Sequence, residues 1–247
     1  MSKKDNIFGI YPVLEAIKSD TEIDKVYLIK DSGNDKLASI EKKLQNKHVT
    51  VNHVPVEKLN RLTNGNHQGV VAVTSPISFV GLEELIESAI ASKKTPLFLV
   101  LDQISDVRNF GAIIRTAECT GVDGIIIQKK GGAPITGDTV KTSAGAIFKM
   151  PICKVDHIKD AIYYLQGSGI KTVAATEKTE KDLYSVSFTE PMALIMGSEG
   201  KGISHSVLKL VDEQAALPLL GEINSLNVSV ACGAFLYELV RQRNKKH

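Results

Sequence analysis

The pattern of hydrophobic and polar positions changes about one third of the way along the 247-residue chain. In the first part, FGIYPVLEAIKS and KLASIEKKLQNK have helical spacing, whereas IDKVYLIK and VTVNHVP have the spacing of strands. GNHQGVVAVTSP adds a strand that Gly and Pro bound on either side. This alternation predicts a small α/β domain over residues 1–75.

A second, larger domain is predicted over residues 95–247, after a helical linker over 76–94 that contains GLEELIESAIASKK. In this part continuous apolar runs are separated by helical patterns, and the runs are LFLVL, GIIIQ, KTVAAT, MALIMG and AALPL. Continuous apolar runs are typical of strands that are buried on both faces. The pattern therefore predicts an α/β fold with a parallel sheet covered by helices, and a long helix at the C-terminal end.

Composition narrows the classes of protein. Hydrophobic residues make up 43% of the chain, which can supply a core, but the longest apolar runs are too short to cross a bilayer. Charges interrupt the N-terminal apolar stretch before a signal-peptide core could form, so we expect a cytoplasmic protein without a membrane span. The three cysteines lie far apart and the six histidines lack ligand spacing, which predicts neither a disulfide framework nor a metal site.

The charge balance excludes a general polycation. The formal net charge is +2, and residues 1–80 carry 11 Lys and Arg against nine Asp and Glu, whereas the rest is balanced. Any contact with nucleic acid must therefore come from local patches, which the N-terminal end mildly favours.

The loops that follow the buried strands are the first places to search for chemistry, because ligands bind at the carboxyl ends of parallel strands. The first such loop lies in LDQISDVRNFGAIIRTAECTG. It leads into a helix that begins near Asn109 and displays Arg115 about one and a half turns later. In the competing interpretation, Asn109 caps the helix and Arg115 is a solvated surface residue.

The second loop lies in MALIMGSEGKGIS. Its glycines at 197, 200 and 202 would let the backbone approach a ligand closely. The segment matches neither the Walker pattern nor the dinucleotide pattern. A tight turn without a ligand would explain the glycines, but it explains Glu199 between them less easily.

The third segment is LPLLGEINSLNVSVACGAFLYELV, in which Asn224, Ser225 and Asn227 come just before an apolar helix. A Ser or Asn at this position satisfies the free N–H groups of a helix start, and we predict Ser225 as the N-cap. Capping needs only one polar residue, and three are present, so capping alone does not explain this segment.

Taken together and in this order, NFGAIIR, MGSEGKG and LPLLGEINSLNVSVACGAF resemble the three motifs of the SpoU/TrmH family of RNA 2′-O-ribose methyltransferases, in the SPOUT class. The resemblance covers the whole second domain, and the ordered set of three makes it specific. FGIYPVLEAI and NHQGVVAV are similar to members that carry an N-terminal L30e-like RNA-binding domain. The resemblance implies a SPOUT domain with a C-terminal trefoil knot, and a homodimer.

The activity that this resemblance implies is methyl transfer from S-adenosyl-L-methionine to a ribose 2′-hydroxyl of ribosomal RNA, at a guanosine of the peptidyl-transferase region of 23S rRNA. No metal is required. The cofactor-binding residues that it implies are Gly197, Gly200, Leu217, Leu219, Ser225, Leu226 and Asn227. The catalytic residues that it implies are Asn109, Arg115, Glu199, Ser225 and Asn227.

The family assigns activation of the hydroxyl to the arginine of the first motif, here Arg115. A guanidinium is effectively never deprotonated in proteins, so we interpret Arg115 as an electrostatic stabiliser of the developing alkoxide, with a substrate phosphate as proton acceptor. General-base action by Arg115 is the alternative.

Specificity for RNA is expected in the small domain, through phosphate contacts of basic residues, namely Lys3, Lys4, Lys42, Lys43 and Arg61. A merely solvated helix face explains Lys42 and Lys43 at least as well. KTSAGAIF also matches the family pattern and contains Lys141, Ser143 and Gly145, for which we expect packing or proximity to RNA.

Two other functions stay open. A transfer-RNA ribose methyltransferase of the same family is one, although such members generally lack a full L30e-like domain. The other is a non-catalytic RNA-binding ribosome-assembly protein, which would not require Asn109, Arg115 and Glu199 together.

Overall fold

The computed structural model describes residues 6–19, 21–30, 32–47, 49–223 and 225–244. These residues form two compact units, one of residues 6–78 with 134–138 and one of residues 79–133 with 139–244. No described helix has the length and apolar character that crossing a membrane requires.

The first unit is a four-stranded sheet with helices on both faces. Its elements in chain order are β1 (Asn6–Phe8), α1 (Ile10–Lys18), β2 (Ile23–Ile29), α2 (Asp35–Asn46), β3 (Thr50–Val54), α3 (Val56–Leu62) and β4 (Val70–Thr74). The strand order is β1-β4-β2-β3, in which β2 and β3 are parallel and the other neighbours are antiparallel. Apolar residues of α1 and α2 pack on one face, and Leu59 and Leu62 of α3 pack on the other.

The predicted first helix is shorter in the structure than its apolar pattern. Asn6–Phe8 form a strand, and α1 begins only at Ile10. The reason is local, because Gly9 between them has φ 89, a conformation that a helix cannot continue through. The pattern of the sequence also did not predict α3, which is a seven-residue helix after Pro55.

The second unit is built on a six-stranded parallel sheet. Its elements are α4 (Leu82–Ser92), β5 (Leu97–Asp102), α5 (Val107–Cys119), β6 (Gly124–Gln128), α6 (Gly137–Thr142), β7 (Ile152–Val155), α7 (Ile158–Gly167), β8 (Lys171–Ala175), β9 (Met192–Gly197), α8 (His205–Leu208), β10 (Glu213–Ala215) and α9 (Val228–Asn244). The first two residues of α6 belong to the segment 134–138 of the first unit. The strand order is β10-β8-β9-β5-β6-β7, and every neighbouring pair is parallel. The predicted α/β fold with a parallel sheet is thus confirmed.

Helices cover both faces of this sheet. All six residues of β5 are buried, as are all six of β9, which is why these strands read as unbroken apolar runs. Side chains of α4 and α7 share one core with Phe98 and Val100 of β5. On α9, Arg243 donates to the carbonyl oxygens of Thr95, Phe188 and Glu190 and so anchors the end of the helix.

Two strand predictions differ from the structure. β7 was not predicted, because its sequence ICKV contains the partly exposed Lys154 and is not a continuous apolar run. The run AALPL is largely outside any strand, since β10 ends at Ala215. β10 lies at the sheet edge, and its Glu213 pairs with Lys171 of β8, so a charged residue occupies a strand position there.

Candidate active site

A cavity of about 420 Å³ opens at the carboxyl ends of β8, β9 and β10. Its lining comes from residues 175–178 after β8, residues 196–202 at the end of β9 and in the following loop, Leu217, Leu219, Ser225 and Leu226 after β10, and Val228, Ala231 and Phe235 of α9. The lining of this first cavity includes aliphatic and aromatic side chains, among them Leu217, Leu226 and Phe235. The loop after β9 contributes the backbone of its glycines together with Glu199 and Lys201.

A second cavity of about 400 Å³ lies beside the first and shares Ser198, Glu199, Gly200, Lys201 and Val228 with it. The rest of its lining comes from the loop residues 103–106 after β5, from Asn109 in the first turn of α5, and from Gly131 after β6. Gln103 has φ 61, which is uncommon for a residue with a side chain. The two cavities therefore meet along the loop that carries Glu199.

Three polar side chains from distant parts of the chain meet where the cavities adjoin. The Glu199 Oε1 atom accepts from Asn109 Nδ2 at 2.9 Å and from Asn227 Nδ2 at 2.6 Å. Asn227 Nδ2 also lies 3.0 Å from Asn109 Oδ1. We call Asn109, Glu199 and Asn227 the carboxamide cluster. It joins the helix start of α5, the loop after β9 and the helix start of α9.

Asn227 has two roles at once. Its Oδ1 accepts from the backbone N–H of Ser229 at 2.9 Å and of Val230 at 3.3 Å, which makes Asn227 the N-cap of α9. The prediction that Ser225 is the N-cap is therefore wrong, because the helix begins at Val228, two residues later than that prediction requires. Ser225 is exposed and lines the first cavity instead. Asn224 lies outside the described residues.

The start of α5 also differs from the sequence interpretation. The helix begins at Val107, and Asp106 is its N-cap, because Asp106 Oδ1 accepts from the N–H groups of Arg108 and Asn109 at 2.9 and 2.8 Å. Asn109 is therefore in the first turn and does not cap the helix. Because its carboxamide does not cap the helix, it can form hydrogen bonds with Glu199 and Asn227.

One residue that sequence reasoning did not single out helps to hold the loop after β9 in place. Asp102, buried at the end of β5, accepts from the Ser204 N–H at 2.8 Å. Gly197 faces Asp102 across the two strands, and a Cβ on Gly197 would lie 2.1 Å from the carbonyl carbon of Gly202. The sequence feature that could have identified Asp102 is its position as an acidic residue directly after the apolar run LFLVL.

Gly111 of the first motif has a packing role. A Cβ on Gly111 would lie 2.0 Å from Thr142 Oγ1, so only glycine lets α6 approach α5 this closely. Of the neighbouring residues, Lys141 is exposed, Ser143 is buried and donates to the Val140 carbonyl, and Gly145 has φ 82. This segment therefore packs against the helix of the first motif.

Arg115 lines neither of the two cavities within the described chain. It is exposed on α5 and follows Asn109 by six residues, which on an α-helix is an advance of about 9 Å and about one and two-thirds turns. The two side chains thus leave the helix in different directions. The neighbouring Thr116 lies against Gly233, so Arg115 is on the part of α5 that adjoins α9.

The two buried thiols, Cys232 and Cys153, are poor nucleophiles. Burial raises the pKa of Cys232 on α9 to about 12 and that of Cys153 on β7 to about 11, so both thiols stay protonated near neutral pH. Among the described residues, no group of three or more His, Cys, Asp or Glu side chains could hold a metal ion.

We expect that Asn227→Ala will lose both roles of Asn227, whereas Asn227→Ser will lose only one. A serine caps a helix about as well as asparagine, so Asn227→Ser should keep the free energy of unfolding, while Asn227→Ala should lower it by about 1 kcal/mol. Neither variant keeps the carboxamide N–H that bonds Glu199. Thermal unfolding and methyltransferase assays will separate the two effects, with Ser225→Ala as the stability control. Full activity of Asn227→Ser would rule out a catalytic role for the side-chain N–H of Asn227.

Comparison with known proteins gives two family matches that together cover most of the chain. Residues 96–237 match the SpoU rRNA Methylase family, and residues 6–80 match a family described as RNA 2′-O ribose methyltransferase substrate binding. The two matched segments correspond closely to the two units of the structure.

Individual proteins are similar over nearly the whole chain. A Bacillus subtilis protein assigned to the TrmH family of tRNA/rRNA methyltransferases is 32% identical over 97% of this chain and 96% of its own length. The 23S rRNA (guanosine-2′-O-)-methyltransferase RlmB of Photobacterium profundum is 32% identical over 97% of this chain and 98% of its own length. The crystal structure of the SpoU methyltransferase AviRb from Streptomyces viridochromogenes with the cofactor AdoMet has a TM-score of 0.61 at 24% identity, and the match covers 98% of this chain and 91% of AviRb. At that identity the likeness concerns the fold.

Proposed function

Because the chain belongs to the SpoU rRNA methylase family, we propose that it methylates a ribose 2′-hydroxyl of ribosomal RNA, at a guanosine of the peptidyl-transferase region of 23S rRNA. The observation that carries the proposal is the carboxamide cluster, which stands where two cavities of similar size adjoin. A transfer reaction needs a donor and an acceptor side by side, and one cavity would serve each.

The first cavity suits S-adenosylmethionine, which supplies an electrophilic methyl group when bound. Its volume of about 420 Å³ is within the range of small-molecule sites. Its lining combines apolar side chains, which suit an adenine ring, with polar and charged side chains, which suit a ribose and an amino-acid group. The residues that would hold the cofactor are Gly197, Gly200, Leu217, Leu219, Ser225 and Leu226, all of which line this cavity. Asn227 does not line this cavity, and it would orient the loop after β9 through its hydrogen bond to Glu199.

The second cavity would take the target nucleotide. Its wall of loop residues 103–106 offers polar side chains and backbone groups to a ribose and a base. Asn109 and Glu199 would orient the ribose, because both line this cavity and hold one another through a hydrogen bond of 2.9 Å. That mutual bond fixes both side chains before the RNA arrives, which favours catalysis by preorganisation.

The homodimer that the resemblance implies would bring Arg115 to the site, because Arg115 lines neither cavity of its own chain. Val230 and Tyr237 on α9 are 57% and 58% exposed and lie seven residues apart, so they form an apolar stripe on one face of the helix. Arg115 is on α5 beside the same helix. A second copy packed on this stripe would cover it and bring its own Arg115 toward the cavity, where the guanidinium would stabilise the developing alkoxide.

The C-terminal trefoil knot belongs to the same proposal. In support, the chain leaves β10 at the sheet edge and returns to pack α9 against α5 and β9 at the centre of the sheet. The loop that makes this return, between Ala215 and Val228, lines the first cavity.

The first unit would bind the substrate RNA, as the family match over residues 6–80 supports. Lys42 and Lys43 on α2 and Arg61 on α3 are exposed and available for phosphate contacts. Lys3 and Lys4, for which we predicted the same role, lie outside the described residues.

The experiment that tests the proposal combines binding and product mapping. Calorimetry should detect binding of S-adenosylmethionine to the purified protein. With a labelled methyl donor, the protein should modify 23S rRNA, and alkaline hydrolysis should show one protected position at a guanosine of the peptidyl-transferase region, because a 2′-O-methyl group blocks cleavage there. Transfer RNA is the control substrate.

Two results would contradict the proposal in different ways. Label that enters only transfer RNA would favour the transfer-RNA methyltransferase, which the name of the Bacillus subtilis relative also covers. Absence of cofactor binding by folded protein would favour the non-catalytic RNA-binding protein.

A further inference from the structure

An exposed aromatic side chain with a cation beside it marks one part of the first unit. Tyr11 is 64% exposed, which is the largest exposure of any large hydrophobic side chain among the described residues of this unit. Lys36 Nζ lies 2.9 Å from the Tyr11 Oη atom and 5.0 Å from the centre of its ring. This hydrogen bond and the positive charge of Lys36 lower the pKa of Tyr11.

The surroundings of Tyr11 are continuous with the loop 63–69. Gln68 Oε1 accepts from the Ile10 N–H at 3.0 Å, so the loop is bonded to the residue next to Tyr11. Within the same loop, Gly65 lies against the ring of Phe8, where a Cβ would be 2.3 Å from the ring. Phe8 itself is 36% exposed. We call Phe8, Tyr11, Lys36 and the loop 63–69 the aromatic face.

The backbone beneath this face has unusual geometry. Gly9, Gln68 and Gly69 all have positive φ, at 89, 49 and 85. The Gln68 value costs free energy for a residue with a side chain, and it persists because the surrounding bonds determine it. One of these bonds joins the Gly69 N–H to His67 Nδ1 at 3.0 Å. Strained backbone of this kind is concentrated at binding sites.

From this arrangement we infer that the aromatic face binds an unpaired base of the substrate RNA, which stacks on Tyr11 while Lys36 contacts the adjacent phosphate. The inference rests on the proposed function only for its ligand class, RNA. Proteins recognise RNA mainly through unstacked bases that lie on aromatic side chains. An ammonium has three N–H donors, and the Tyr11 hydroxyl uses one, which leaves others for a phosphate.

The exposed residues Asn66 and Gln68 are in the same loop and would meet the edge of the stacked base. A tyrosine ring has fewer rotatable bonds than a lysine side chain and loses less conformational entropy when it binds, which favours this face over Lys42 and Lys43 on α2. The face should therefore prefer single-stranded RNA to a perfect duplex, whose bases are already stacked on one another.

The chain contains no tryptophan, so Tyr11→Trp creates a protein with a single indole reporter on the proposed platform. The probe is an unlabelled single-stranded RNA of mixed sequence, about 12 nucleotides long, which is within the site sizes of single-strand-binding proteins. We expect that stacking of a base will quench the indole fluorescence of this variant upon titration. The control is Tyr163→Trp on α7 of the second unit, where the tyrosine is 58% exposed, and its emission should change little.

Binding constants test the energetic contribution of the two side chains. With a labelled copy of the same RNA, Tyr11→Ala should weaken binding about 5- to 150-fold. Lys36→Met should make the negative slope of log K against log salt less steep, by about 0.7. Tyr163→Ala and Lys159→Met, both at exposed positions of α7 in the second unit, are the matched controls. Circular dichroism will verify that each variant is folded.

Several outcomes would overturn the inference. One is fluorescence of the Tyr11→Trp variant that stays unquenched at saturating RNA, and another is a Tyr11→Ala variant that binds RNA within about twofold of the wild-type affinity. The others concern the wild-type protein, which would either bind the annealed duplex as tightly as the single strand or fail to bind the single strand. A failure of the proposed function is distinguishable, because these readouts need no methyl transfer. Quenching without catalysis would leave the RNA-binding face in place and remove only the enzymatic proposal.

Discussion

Arg115→Ala is expected to lower kcat about 10²- to 10³-fold, which is typical of the loss of one group that stabilises a developing oxyanion. Arg115 is exposed on α5 and contributes to neither cavity of its own chain, so its removal should leave the fold and the affinity for S-adenosylmethionine unchanged. Single-turnover methyl transfer and calorimetry on the same preparation will measure the two quantities. Arg108→Ala on the same helix is the control, and normal turnover by Arg115→Ala would remove the proposed role.

Mixed dimers will show which chain supplies the guanidinium. If Arg115 acts on the cavity of the second copy, a dimer of Arg115→Ala with Glu199→Gln contains one site in which both residues are intact. Mixed dimers that are purified after coexpression of the two variants should then have up to about half of the activity of the wild-type dimer. If Arg115 acts within its own chain, every site in the mixture lacks one residue. Persistent inactivity of verified mixed dimers would therefore exclude action across the interface.

Gly197→Ala is expected to disrupt the loop after β9, with the second largest effect. The added Cβ would be 2.1 Å from the Gly202 carbonyl carbon and 2.2 Å from the Ile203 nitrogen, and both are backbone atoms that cannot rotate away. Gly202 and Ser198 exchange two backbone hydrogen bonds at 2.8 and 3.1 Å, so the loop must open to accept the methyl group. Opening would displace Glu199, and we expect at least a roughly tenfold loss of affinity for S-adenosylmethionine together with a loss of stability of about 1–3 kcal/mol.

A matched glycine provides the control for this variant. Gly167 at the end of α7 has no atom within 4 Å of the position that a Cβ would occupy, and alanine is the better helix former, so Gly167→Ala should keep both stability and cofactor affinity. Denaturant unfolding and calorimetry will compare the two proteins. A Gly197→Ala variant that binds S-adenosylmethionine normally would show that the close approach of Gly197 to Gly202 is not needed for the first cavity.

The α/β fold and the family could be predicted from the sequence, because buried parallel strands are long apolar runs and the three motifs occur in order. The prediction failed where an element is not apolar. β10 contains Glu213, whose charge Lys171 of the neighbouring β8 compensates, and β7 contains Lys154. Periodicity reports burial, so a strand that is short, at an edge or charged gives little signal.

The polar residues of the site could be singled out from the sequence, but their individual contacts could not. Both helix starts show this. Asp106 caps α5 where Asn109 was a candidate, and Asn227 caps α9 where Ser225 was predicted. A difference of two or three residues along a loop does not change the composition on which such a prediction depends, but it changes which oxygen faces the free N–H groups.

By itself the sequence determined the types of residue available for chemistry and the order of the motifs along the chain, since these depend only on local composition and spacing. Only the tertiary structure decided that Asn109, Glu199 and Asn227 share hydrogen bonds although 118 residues separate the first from the last. The reason is the parallel order β8-β9-β5, which brings the carboxyl ends of strands that are distant in the chain to one edge of the sheet. The same geometry turns Arg115 away from the cavities of its own chain, because helix rotation over six residues separates it from Asn109.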